Sequence, residues 1–163
     1  MEWQTSIYLR DDLRAIGCEA LCVAAATELI VQRSVSSYGL NGIITKLQDR
    51  GLWSSTDGLF KQNSYRLFIQ AVCRHAGAEE YCGDMVSDSE SLFPIRHYVW
   101  WKGLHNITIA RHHTLLGNSH SILYGADGNI IFNPRPETEL AERYLNLFFW
   151  IGLKTEWAEF TQG

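Results

Sequence analysis

The stretch Ile16-Gly17-Cys18-Glu19-Ala20-Leu21-Cys22-Val23-Ala24-Ala25-Ala26-Thr27-Glu28-Leu29-Ile30 constrains this chain more than any other part of it. Cys18, Leu21, Cys22, Ala25 and Leu29 recur at helical spacing and share one face. Val23, Ala24 and Ala26 make the opposite face apolar too, so the pattern predicts a helix from about Gly17 to Arg33 that is buried on most sides. At its head, directly after a glycine, sits a cysteine. The first turn of a helix leaves backbone N–H groups unpaired and carries partial positive charge, and both favour a thiolate. That position predicts a lowered pKa and a raised nucleophilicity for Cys18. Cys22 lies a full turn further in and reads as a small core hydrophobe, a role equally open to Cys18.

With 163 residues, 46% of them hydrophobic and 20% charged, the chain suits a single domain over residues 1–163. No apolar run is long enough to span a bilayer, which predicts no membrane association. The first residues lack the basic region and apolar stretch of a signal peptide, and the four cysteines then read as reduced thiols in a cytoplasmic protein. A net charge of -4 argues against non-specific nucleic-acid binding.

Residues 1–15 read as an extended arm. After the buried helix, Ser34 to Leu40 reads as a loop. Asn41 then caps a second helix over Gly42 to Gly51. Ser64 is placed to cap a third, with Leu67, Phe68, Ala71 and Val72 inward and Gly77 after its end. The second half changes character. Ile95 to Trp101, Ile107 to Leu116, Ser119 to Tyr124, Asn129 to Phe132 and Tyr144 to Leu153 are rich in β-branched and aromatic residues and read as strands. Glu137 to Glu142 reads as one helical turn. Helices followed by antiparallel strands give an α+β fold.

Among six histidines, His120 is singled out by its hairpin. If Asp127-Gly128 is a two-residue turn, Ala126 opposes Asn129 and Asn133 falls in line with Ile122. Side chains alternate along a strand, so Asn133 becomes a diagonal neighbour of His120 at about 7 Å. Its amide oxygen can then orient the imidazole and leave the other ring nitrogen to a thiol. An incidental histidine on a surface hairpin is the plainer reading.

A Gly-Cys at the head of an apolar helix, followed late by His-Ser-Ile-Leu-Tyr-Gly-Ala-Asp-Gly-Asn-Ile-Ile-Phe-Asn-Pro, resembles the papain-like cysteine peptidases of bacteria. The likeness is to the branch that cleaves double-glycine leader peptides, and to a small bacterial and phage family with a Gly-Cys helix and a late histidine strand. It spans about Leu13 to Leu153. It implies a papain-like fold, with helices carrying Cys18 as nucleophile packed on strands carrying His120 as general base and Asn133 as its orienter. In such enzymes a glutamine about six residues before the cysteine helps bind the oxyanion. Here that place holds Asp12, whose carboxylate would repel one, and Gln4 can substitute only if the arm folds back.

Two functions follow. One is cysteine-dependent hydrolysis at an amide bond of a specific protein or peptide partner, with no cofactor and no turnover of unstructured casein. The other is a catalytically inactive papain-like interaction protein, such as a phage-encoded inhibitor that binds a host defence factor; exposed tryptophans would serve it as anchors. Other chemistries fit poorly. Cys73, His75 and Cys82 lack the spacing of a zinc knuckle, and no metal is expected. Arg96 to Lys102 could stack bases, but reads more readily as a partly buried strand.

Overall fold

The structure, a computed structural model, describes residues 4–62, 64–79, 87–88, 107–125 and 127–148. The elements are helices α1 (Asp11–Ile16), α2 (Cys18–Val31), α3 (Ser37–Asp49) and α4 (Tyr65–His75), then strands β1 (Ser87–Asp88), β2 (Ile107–Thr114), β3 (Ser119–Gly125), β4 (Ile130–Phe132) and β5 (Leu140–Phe148). The strands form one antiparallel sheet in the order β1-β5-β2-β3-β4. The fold is therefore α+β, helices first. The sequence-predicted strand at Ile95 to Trp101, with the Arg96 to Lys102 segment, and Cys82 lie outside the described residues.

Helix α2 is buried along nearly its whole length, from Glu19 to Glu28 and again at Val31. Its alanines permit close packing on α4 on one side and on β2 and β3 on the other. Ile109, Leu123 and Phe132 complete the core from the sheet. Alternation along the strands turns Arg111 and Ser121 to the same face as Ile109 and Leu123, with Arg111 directly opposite Ser121.

Several local expectations are corrected. The arm is not extended throughout: residues 11–16 are helical because Asp11 and Asp12 suit a helix N-terminus, and the Asp12 carboxylate accepts the Leu13 N–H at 2.9 Å. Helix α3 begins at Ser37, not Gly42, because the Ser36 hydroxyl accepts the Gly39 N–H at 3.0 Å and caps it. Asn41 instead ties down the arm, accepting from Arg10 N and donating to Tyr8 O, each at 2.9 Å. Ser64 precedes α4 but its hydroxyl donates to Leu52 O, outside the helix. Leu67 is 39% exposed, and Ile69 and Cys73 take inward places with Phe68 and Val72. Gly77 does follow the end of α4, where Ala78 N bonds Cys73 O and Gly77 N bonds Arg74 O, the paired bonds of a Schellman motif. Residues 137–139 form no helix, and β5 starts at Leu140. Of the tryptophans, Trp53 lies in the core and offers no interface anchor.

Candidate active site

Gly17 separates α1 from α2. A Cβ there would stand 2.5 Å from Leu13 O, so only glycine lets the chain turn this tightly into the second helix. The turn brings Cys18 to the head of α2, where its side chain is partly exposed while Cys22 and Cys73 are buried. Cys22 reaches into the fold and donates to Ser121 O at 3.3 Å.

The Cys18 sulfur lies against Ser121, the residue after His120. Burial pushes the Cys18 thiol above its ordinary value. The backbone N–H and hydroxyl of Ser121, the positive charge of Arg111 and the N–H of Cys18 itself all act in the opposite direction. The thiol is thus raised on balance, where the helix head alone had predicted a lowering, because desolvation by the sheet outweighs the helix end.

His120 is 4% exposed, and its Nε2 is 2.7 Å from Asn133 Oδ1. The backbone N–H of Arg135 donates to the same oxygen at 3.2 Å. An N–H can only donate, so the Asn133 atom between them is an acceptor and Nε2 of His120 carries the proton. Nδ1 then holds the free lone pair. Burial lowers the His120 pKa; the Asn133 bond and Glu137 raise it and Arg135 lowers it, so the ring is neutral at pH 7.

The hairpin reaches this arrangement by a different route from the one expected. Gly125 N bonds Asn129 O at 2.9 Å, which makes the loop three residues long. Asp127 Oδ1 accepts the Asn129 N–H at 2.9 Å, and Gly128 takes φ +80°. A register shift between Tyr124↔Ile130 and Leu123↔Phe132 then absorbs the extra residue. Asn133 ends in line with Ile122 after all.

Cys18 and His120 both line one cleft of about 960 Å³, between the helical half and the β2–β3 end of the sheet. Ala15, Ile16 and Leu59 form part of one wall, and Leu115 and Leu116 stand on the other. Gln4 lines it as well. The arm does fold back: Gln4 N bonds Pro134 O at 2.9 Å, and Gln4 is 3% exposed with its Oε1 buried and unpartnered among the described residues. Asp12 does not line the cleft; its carboxylate is held by Arg10 at 2.6 Å. Sequence reasoning missed Ser121 and Arg111, which only strand pairing brings to the sulfur. Among the described residues no cluster of side chains is arranged to hold a metal ion, and no helix is long and apolar enough to cross a membrane. His97 and His105 lie outside the described residues. No protein-family model, curated protein or solved structure matches the chain.

Proposed function

We propose that this chain is a papain-like cysteine hydrolase that cleaves, or transfers at, an amide bond of a protein or peptide partner. The observation that carries this reading is that Cys18 and His120, the latter held by Asn133, line one cleft. Asn133 holds the protonated Nε2 and leaves Nδ1 as the basic nitrogen, although strand alternation puts His120 with His112 on the face opposite to Ser121 and Arg111. In the reaction Nδ1 takes the thiol proton as Cys18 Sγ bonds to the carbonyl carbon, and the carbonyl π pair moves onto oxygen. When that pair returns, the C–N bond breaks and His120 gives its proton to the departing amine. Water, deprotonated by the same ring, then releases the acyl group from sulfur.

Backbone N–H groups at the head of α2 and the Gln4 amide are the candidate oxyanion donors. Gln4 lines the cleft and its NH2 group is a possible donor there, although the atom that lacks a partner among the described residues is the acceptor Oε1. The repulsion anticipated from Asp12 is removed by its engagement with Arg10.

A second reading, an inactive scaffold that binds and blocks a partner, draws on the cleft rim. Leu115 is 63% and Leu116 90% exposed, an apolar tip suited to docking. The raised Cys18 thiol also suits it. A paired experiment separates the readings. Brief iodoacetamide treatment at neutral pH should label Cys18 before Cys22 and Cys73, since of these three described cysteines Cys18 alone is not buried, and it stands beside positive charge. Wild type and Cys18→Ala are then incubated with a mixed peptide library and read by mass spectrometry. New termini from wild type alone support the hydrolase. No new termini from either protein, with a cellular activity that survives Cys18→Ala, would establish the binding protein.

A further inference from the structure

Next to the nucleophile lies a buried ion pair that the reaction as described does not use. Glu19 follows Cys18 in the first turn of α2 and is 1% exposed. Its Oε2 accepts from the Arg111 guanidinium, and its Oε1 accepts from the Tyr65 hydroxyl at 3.0 Å. Arg111 is itself 9% exposed and lies opposite Ser121, the residue against the sulfur. Burying two opposite charges costs about as much as their attraction returns, and apolar side chains could join α2 to β2 equally well. The place of the pair, with both members lining the cleft at Cys18, is what calls for an explanation.

We propose that Arg111 is a positioning residue for Cys18: its guanidinium, held in place by Glu19, brings to the head of α2 the positive charge that favours the sulfur anion. The inference rests on the reading of Cys18 as a nucleophile. It is supported by the place of Arg111 in the cleft wall opposite Ser121, and by the attraction between its charge and an ionised Cys18, which acts to lower the thiol. The other groups facing the sulfur do less for it. Ser121 on β3 offers neutral donors, and buried Cys22 carries no charge to lend. Asp57, on the loop at the cleft wall, is engaged by Lys61 at 2.7 Å. On the rim, Arg135 stands beside Glu137 at 3.9 Å. Burial raises the Cys18 thiol, and Arg111 is the cation that acts against that rise without cancelling it.

The ion pair permits a test with opposite signs. The pH dependence of iodoacetamide alkylation at Cys18, followed by mass mapping on the full chain, gives the midpoint of its ionisation. Arg111→Met should raise that midpoint and slow labelling at neutral pH about tenfold, the usual effect of removing one nearby opposite charge. Glu19→Gln should lower it, because the amide still accepts from Tyr65 while the guanidinium loses its counter-charge. Arg111→Lys should lie between wild type and Arg111→Met. A merely structural pair would move both halves the same way, so equal-sign shifts, or none, would overturn the proposal. If Arg111→Met does not fold, the double variant Arg111→Met/Glu19→Gln decides, and a midpoint no higher than that of Glu19→Gln alone would overturn it. Alkylation needs no substrate, so these outcomes stand whether or not Cys18 proves to cleave amides.

Discussion

His112 and His113 adjoin in β2 and meet opposite fates. Alternation sends His113 to the cleft wall and His112 into the sheet's other face, where its Nε2 lies 2.8 Å from the Tyr124 hydroxyl. Burial, with His120 as cross-strand neighbour, holds the His112 pKa down to about 4. Both histidines are depressed below the unfolded value, so below about pH 6.5 the unfolded chain binds more protons and stability falls as pH falls. The loss due to His112 runs from about pH 6.5 down to about pH 4 and reaches on the order of 3 kcal/mol at most. Urea unfolding at pH 7 and pH 5 should show wild type losing stability on acidification and His112→Gln losing less. Asn133 is the other decisive residue. Asn133→Ala removes a bond that raises the His120 pKa and fixes its tautomer, so the acid limb of any Cys18-dependent activity should move to lower pH. The rate should fall about 5- to 150-fold, the equivalent of about 1–3 kcal/mol for one buried hydrogen bond. A pH–rate profile of the variant checks both.

Periodicity carried the larger elements: α2, α4 and the strands from Ile107 to Phe132 stand near where hydrophobic pattern and β-branching put them. The His120–Asn133 neighbourhood was legible because a hairpin's register is local, and it survived even though the loop is one residue longer than expected, since the bulge near Ile131 absorbs the difference. What local pattern could not show was tertiary. Leu67 is apolar yet exposed, and Asp12 sits where an oxyanion glutamine was sought but turns to Arg10. The joint between α1 and α2 is held from outside as well. Gly58, at φ +71°, lies so close to Ile16 that a Cβ would stand 2.0 Å from its carbonyl oxygen. Gly58→Ala should therefore destabilise the fold by more than Gly17→Ala, for which about 1–3 kcal/mol is expected from overpacking alone. Gly42, inside α3 with nothing within 4 Å of its Cβ position, is the control. Gly42→Ala should stabilise by about 0.5–1 kcal/mol. Denaturant midpoints of the three variants check the order.

Across the molecule, one short segment joins the parts of the site. Asn133 holds the His120 ring, the Pro134 carbonyl holds the N-terminal arm at Gln4, and the Arg135 guanidinium donates to Arg14 O in α1, just before Cys18. Residues more than a hundred positions apart in sequence are thereby registered against one another, which no sequence pattern encodes. In this arrangement the arm belongs to the site and is not a tail. If Gln4 supplies an oxyanion donor, Gln4→Ala should lower the rate of Cys18-dependent cleavage about 10²- to 10³-fold, the range for losing one such donor. The same change should leave the alkylation midpoint of Cys18 in place, because Gln4 carries no charge and is not among the groups that move the thiol. Peptide-library cleavage beside alkylation kinetics measures both. A fall in cleavage with unaltered thiol reactivity assigns Gln4 to the transition state. A parallel loss of both would show instead that the arm only props the head of α2, and equal cleavage by Gln4→Ala and wild type would leave the oxyanion to the backbone N–H groups there.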